Sequence, residues 1–530
     1  MRTFSRLSVL IIFFLPLFAS LFYFSGSVIH LFSDPQALAT YWTPYLKAAS
    51  LVSLSVGVVS TVVGVLISFF VGYAIFSFRN HNPQRFISFF LSVPHLAFFS
   101  GVLFLISPSG LLSRVWSIFS DIPFYGMDRD PWALSFSLTL ALKESLFLVF
   151  VLLPSITDKK NEPELIVSQS FGHTDFTYWS YVLWPRLLQS LRYPIWIVIA
   201  YSLSVVDLAM VLAPTNPPPF SVVLWEFFQS ADVDNQMKSV LGSLHILVML
   251  VLVILIWELI GKVFSFALKI RLRWPIRSES ICFRKTILGF YFFLLFVPLV
   301  VLGLWAVADE WVFPNIIPSS FTYENFVYGI KSIFSQISTT VILAFLSSMM
   351  ATCVGLIWLE WDRRATKDWL MIPILFVPVF PIVPLLFGFD VFLSSSFKPS
   401  SLVAVFYVHL LLVFPYVFII LKSQFMKFDE RYKVTSLSLG QSVLKFFLTI
   451  RVRMLLSGIL TAFSVGFAVS IAQYLPTVFI GGGRVETLTT QMVVAASGEN
   501  RKWMGVFGIL QILIPAIVFF VSGKLAKEKV

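Results

Sequence analysis

Twelve apolar runs, each about long enough to cross a lipid bilayer, dominate this 530-residue sequence. Six lie near Leu7–Ile29, Leu51–Phe78, Phe86–Ile106, Trp132–Leu153, Leu188–Leu212 and Val240–Leu268. Six more lie near Ile287–Val307, Ile337–Leu359, Trp369–Phe389, Leu402–Leu421, Met454–Ile480 and Trp503–Val521. Apolar residues make up 58% of the chain and charged residues 12%, against about 45–50% and about 25% in a soluble domain. The expected fold class is an all-α membrane protein with about 12 transmembrane helices, in contact with membrane lipid. Arg2 and Arg6 precede the first run, as they would in a signal peptide. That run exceeds the roughly 7–15 residues of a signal-peptide core, so a retained first span is expected.

Charge orients the spans. The net charge of +11 would suit nucleic acid in a soluble protein. In a chain of spans it reflects cytoplasmic loops rich in Lys and Arg, and no nucleic-acid partner is expected. With the N-terminus inside, the inner segments hold Arg79, Arg85, Lys159, Lys160, Arg363, Arg364, Lys367, Lys422 to Arg453, and Lys524 to Lys529. A basic stretch from Lys269 to Lys285, with Arg271, Arg273, Arg277 and Arg284, is also inside and divides the chain in two. The outer segments hold Asp121, Asp128, Asp130, Asp232, Asp234, Asp309 and Glu310. This arrangement puts both termini in the cytoplasm.

One inner loop occurs twice. Ser168-Gln169-Ser170-Phe171-Gly172-His173-Thr174-Asp175-Phe176 runs on to Trp184-Pro185. Ser436-Leu437-Ser438-Leu439-Gly440-Gln441-Ser442-Val443-Leu444 runs on to Val452-Arg453. The copies align without a gap, 268 residues apart from Gly172 to Gly440, and the match extends to Leu187/Leu455, Leu188/Leu456 and Ser202/Ser470. A single long repeat means a duplicated architecture. Phe176, Trp179, Val182 and Leu183 recur at helical spacing, as do Val443, Phe446, Phe447 and Ile450. Each set predicts a short helix with one apolar stripe, lying in the membrane plane. The preceding glycine permits a sharp break in the chain. Two such elements on one side suit a partner with two equivalent sites; a single one would be an ordinary interfacial anchor.

Several polar residues fall within spans. Lys143 and Glu144 are neighbours near the middle of one, where a charge costs at least about 2.5–3.5 kcal/mol. Adjacent helical residues cannot face each other, so each needs another partner or an aqueous surface. Asp207 needs the same, from Lys143 or a helix end. His409 and Gln473 flank the second loop in the neighbouring spans; a lone histidine there is expected to be satisfied by a neighbour. Glu258 precedes Lys262 by one helical turn, which predicts a salt bridge. Pro373, Pro378, Pro381 and Pro384 crowd one run, as either a packing kink or a broken helix lining a path. Gly481-Gly482-Gly483 reads as a turn after a span. No Gly-x-x-x-x-Gly-Lys-Ser/Thr loop, hydrolytic triad or metal-ligand spacing occurs, and Cys282 and Cys353 are not placed to pair. No catalytic residue, metal or cofactor is expected.

The loops resemble the cytoplasmic coupling loop of ABC importer permeases of the type-1 fold, the "EAA" motif: small residues, a glycine, then about a dozen residues to an apolar-Pro ending. Gly172 to Pro185 has that spacing; Gly440 to Arg453 has it with Arg in place of Pro. The motif's leading Glu is absent, with Ile166 and Val434 in its place. Further stretches are similar to fused double permeases of the thiamine-permease kind, especially their YnjC-like branch. These are Ser107–Arg114, Leu142-Lys143-Glu144, Tyr201–Asp207 closing on Pro214, and Gln473-Tyr474-Leu475-Pro476 through Gly481-Gly482-Gly483-Arg484 to Thr490.

The resemblance implies one polypeptide with two homologous type-1 halves. Residues 1–47 would form a first helix and periplasmic loop, 48–268 the first transmembrane domain, and 269–286 a basic cytoplasmic linker. Residues 287–332 would form a seventh helix and periplasmic loop, and 333–523 the second domain. It also implies two ABC ATPase subunits below and a periplasmic solute-binding protein above, in a bacterial inner membrane, with hydrolysis on a separate subunit. Ser168, Gly172, Asp175, Phe176, Trp179, Pro185, Ser436, Gly440, Val443, Phe446 and Phe447 would couple to the ATPases. Lys143, Glu144, Asp207, Gln473, Tyr474, Gly481 and Arg484 would be candidates for the path or its outer gate. Thiamine, a related small solute or ferric ion would be carried. An ion-coupled secondary transporter using Lys143, Glu144 and Asp207 is the competing class, since two halves and twelve spans suit it too.

Overall fold

The computed structural model describes residues 41–78, 84–122, 124–158, 160–270, 281–361, 374, 376–396 and 399–527, with four positions between 22 and 29. Nearly all of the expected first span lies outside these residues. So do residues 271–280 of the basic linker, Arg79, Arg363, Arg364, Lys367 and Pro373.

The first half runs α1 Pro44–Ser77, α2 Gln84–Ser92, α3 His95–Ile106, α4 Leu111–Phe119, α5 Leu134–Ile156 and α6 Asn161–Ser170. It continues α7 Asp175–Tyr178, α8 Trp184–Ser190, α9 Arg192–Ser204, α10 Asp207–Leu212, α11 Phe220–Gln229 and α12 Val233–Ile270. The second half opens with α13 Ile281–Val307 and an antiparallel hairpin, β1 Ala308–Glu310 with β2 Ser320–Phe321. Then come α14 Glu324–Ser332, α15 Phe334–Trp361, α16 Ile382–Ser396, α17 Ser401–Lys427 and α18 Arg431–Ser438. It ends with α19 Val443–Phe446, α20 Val452–Met454, α21 Leu456–Ile471, α22 Leu475–Gly481, α23 Leu488–Ser497 and α24 Arg501–Lys527. The repeat is structural as well as textual: α7 and α19, and α11 and α23, begin and end 268 residues apart.

This is an all-α membrane protein. Among the described residues, eight helices are long and apolar enough to cross a membrane, or nine if a bent pair counts as one span. The expectation of about twelve is not reached within these residues, and breaks explain part of the difference. The run at Leu188–Leu212 is two helices, α9 and α10, and Met454–Ile480 is likewise interrupted between α21 and α22. In the run Trp369–Phe389, the described residues Ile374 and Phe376 are helical, a turn follows at residues 377–380, and α16 starts after Pro381, so the helix is broken beside Pro378 and Pro381.

A broken helix inside a bilayer leaves carbonyls without partners, and each must be satisfied by protein. Both halves solve this in the same way. The Ser221 hydroxyl donates to the Val205 carbonyl at 2.9 Å, and the Thr489 hydroxyl, at the matching position of the repeat, donates to the Ile471 carbonyl. The amides at the starts of α11 and α23 are matched too. Phe220 N–H donates to Ser53 Oγ on α1, and Leu488 N–H to Thr340 Oγ1 on α15, both at 2.8 Å.

Helix α1 packs along α5, and α15 along α17, so each half repeats one core pair. The halves interlock through α13, which packs on α1 and α3 of the first half and on α24 of the second. The link is reinforced at Arg114. This side chain, 2% exposed, donates to the carbonyls of Ser109, Trp311, Val312 and Asn315 and lies 4.8 Å from the Trp311 ring. A guanidinium has five donors in a rigid fork, which suits a cage of carbonyls.

Candidate functional site: paired loops and broken helices

Each repeated loop is built by the same local rules. Helices α6 and α18 both end in a Schellman turn. Gly172 and Gly440 take left-handed φ values of +79° and +80°. The next amides, His173 and Gln441, donate back to the Ser168 and Ser436 carbonyls at 3.2 Å. The two glycine amides donate to Gln169 and Leu437. The repeated serines therefore supply backbone acceptors. A Cβ added at either glycine would meet nothing within 4 Å, so the constraint is the backbone conformation alone. Thr174 and Ser442 then cap α7 and α19, accepting from the amides of Thr177 and Lys445. A single π-helical turn follows in each copy, Trp179–Leu183 and Phe447–Arg451. In the second copy the loop helices, Val443–Met454, stand at 76° to α21.

Much of each apolar stripe is covered by protein, while Val182 and Val443 are exposed. Trp179 is fully buried and packs on Phe69, Tyr73 and Phe76 of α1, while Phe176 meets Phe69 and Tyr73. Gly72 makes room for the indole: a Cβ there would lie 2.9 Å from Trp179. Pro185 follows the π-helical turn, at the start of α8. In the second loop Phe446 is buried and meets Phe428, Phe447 is half-buried, and Val443 is exposed.

The polar fastenings differ. In the first loop the Tyr178 hydroxyl donates to Glu164 at 2.9 Å, and Arg186 joins the same carboxylate at 3.2 Å. Hydrogen bonds from Arg186 and then Tyr178 hold the Glu164 carboxyl below its usual range. Burial, and then the bond to Glu164, pushes the Tyr178 phenol up to about 12. Asp175 accepts from Gln169 Nε2 at 2.8 Å and faces Arg284 of α13 at 3.5 Å, a contact across the halves. The second loop is fastened by Arg451, which is fully buried. It bonds Glu360 at the end of α15, and reaches Glu430 at 3.0 Å. Lys433 meets the other oxygen of Glu360 at 2.9 Å. Arg451, Glu360 and the cross-half role of Arg284 escaped the sequence reading. The available signal was a charge at Arg451 inside an apolar stripe whose first copy has Leu183.

The intramembrane polar residues have local partners. Lys143 Nζ donates to the carbonyls of Phe90 and Val93 at 2.6 and 2.7 Å, at the C-terminal end of α2. Glu144 meets His95 Nε2 at 3.0 Å. Asp207 is the first residue of α10, so its carboxyl sits at a helix N-terminus, one of the two expected alternatives. His409 is bracketed by the hydroxyls of Ser470 and Thr477, each at 2.9 Å. Glu258 pairs with Arg192 at 2.8 Å and with the Trp196 indole, not with Lys262 as the spacing suggested. Gln473 and Tyr474 lie half-buried in the α21–α22 break. Gly481 is buried, Gly482 and Gly483 form a left-handed turn at φ +56° and +71°, and Arg484 is exposed.

No family model matches the chain. Among curated proteins it is 30% identical over 500 residues to the inner membrane ABC transporter permease protein YnjC of Escherichia coli (strain K12), covering 94% of this chain and 90% of that protein. A match of that extent takes in both halves of the chain. The chain belongs to the ABC transporter permeases.

Proposed function

We propose that this chain is the membrane subunit of an importer, with both loops in the cytoplasm, each seated on one of two ATPase subunits. The observation that carries this reading is the pair of loops with one backbone design, at matched places in the repeat and presenting matched apolar residues. Phe171 and Leu439 occupy the same place in the two copies, and each is 77% exposed. Closure of the ATPases on ATP would press the loops together, and the halves would shift between inward-open and outward-open populations. We place the path between the halves, at the helix breaks α9–α10 and α21–α22. A periplasmic binding protein would deliver the solute.

Thiamine or a related small organic cation is the proposed cargo. Supporting this, Asp207 stands at the α9–α10 break, in a stretch that resembles thiamine-type permeases, and a carboxyl there suits a cation. Lys143 and Glu144 are occupied locally, which leaves little for the ion-coupled alternative. The test is reconstitution with the ATPase and binding protein. Thiamine added with its binding protein should stimulate ATP hydrolysis, and Gly172→Val with Gly440→Val should abolish that stimulation. Stimulation undiminished in the double variant would refute the coupling role of the loops. Uptake driven by a proton or sodium gradient without ATPase would refute the whole reading.

A further inference from the structure

We infer that Arg451 is a positioning residue that makes the second loop move as one body with α15 and α17; this rests on reading the loops as ATPase seats. Arg451 lies in the π-helical turn of the loop and is wholly buried. One end of its guanidinium is bonded to Glu360, the penultimate residue of α15. The other reaches Glu430, at the start of α18, at 3.0 and 3.4 Å. Its flat faces are covered by rings from three neighbouring segments: Phe425 of α17 at 5.9 Å, Phe428 at 4.7 Å and Phe446 of α19 at 4.9 Å. One side chain thus ties the loop helix, the ends of two long helices and the loop entrance together.

A planar cation with five donors can do this; a lysine ammonium can reach one carboxylate but cannot span both and stack as well. The first loop has Leu183, also buried, at the matching position. The charge is therefore not required to build a loop of this shape. Its addition in one copy gives that copy a directional, breakable link to α15, which packing alone does not give. Buried charge pairs are weak as net stabilisers but strict about geometry, which is the property a force-bearing joint needs.

The test uses the full chain with its ATPase in lipid nanodiscs. Cysteine-free protein carries spin labels at Asp232 and Lys331, exposed positions of the two halves. The distance between them is read with ADP and with ATP–vanadate, beside the rate of ATP hydrolysis. Arg451→Met should keep the ATPase bound and hydrolysing within about twofold of wild type while losing the nucleotide-driven distance change. Arg451→Lys should retain part of it. Arg451→Leu with Glu360→Ser removes the buried charge pair together, leaving Glu430 and Lys433, which reach solvent, and so guards against simple misfolding. It should fold and bind ATPase like wild type and still lose the distance change. If the double variant moves as wild type does, Arg451 is only a structural fastening and the inference is overturned. If wild type binds ATPase and shows no distance change, the inference is overturned with the reading of the loops intact as seats. If wild type binds no ATPase, both fall.

Discussion

The two loops share a backbone and differ in what holds them. The turn, the cap and the π-helical turn recur residue for residue from Gly172 and from Gly440. Behind that common face, the first loop is anchored by an indole in an aromatic nest and the second by an arginine between carboxylates. One backbone design is thus held in place by two different sets of side chains. The first loop is also tied across the halves through Asp175 and Arg284, while its counterpart Val443 is exposed and apolar.

The comparison breaks or sharpens most strongly at the anchors. Trp179→Ala should cost about 3–5 kcal/mol through the cavity it leaves. Arg451→Met should cost less, about 1.5–3 kcal/mol, because Lys433 still meets Glu360 when the guanidinium is gone. Hydrogen exchange should show the first change loosening only residues 168–185 and the second only residues 436–453. Loosening of both loops by either change would mean that the anchors are not separate. Next come the glycines. Gly172→Val and Gly440→Val should each cost about 1–2 kcal/mol, and equally, because only the left-handed backbone opposes them. A clear inequality in unfolding midpoints would show that one loop rests on a contact absent from the other. The caps are smaller still: Thr174→Ala and Ser442→Ala should each raise local amide exchange by an amount worth about 1 kcal/mol.

The gentlest probe is pH. Tyr178 should ionise near pH 12, mainly because it is desolvated and then because it donates to Glu164. A raised phenol favours the neutral form in the folded state. Its contribution is full below the ordinary tyrosine value near 10 and is lost as pH climbs through 12. Difference absorbance against Tyr178→Phe should therefore show no loss in the first loop at neutral pH and a loss between about pH 10 and 12. The second loop, with Phe446 in that place of the repeat, should show none.

Much of this was legible beforehand, for reasons that can be named. Gly172 and Gly440 were readable because a left-handed turn restricts the residue that can occupy it. The repeat was readable because the backbone design is local in sequence. The partners of Lys143, Glu144 and Glu258 were not readable. They come from α2, α3 and α9, far along the chain, and an i+4 lysine lost to Arg192. The direction of the apolar stripes is not legible in the sequence, because lipid and a neighbouring helix both accept apolar side chains. The interruption at Val205-Val206 carries no proline or glycine; the hydroxyl that makes it tolerable, Ser221, sits on another helix.

The central claim is that both loops face one side and seat the same kind of motor. Single cysteines at Phe171 and Leu439, in a chain lacking Cys282 and Cys353, test it directly when challenged with an impermeant thiol reagent in oriented vesicles and then with a cross-linker beside the ATPase. Both positions should react only from the cytoplasmic side, and both should cross-link to ATPase. Labelling from opposite sides, or cross-linking at neither position, would contradict the account.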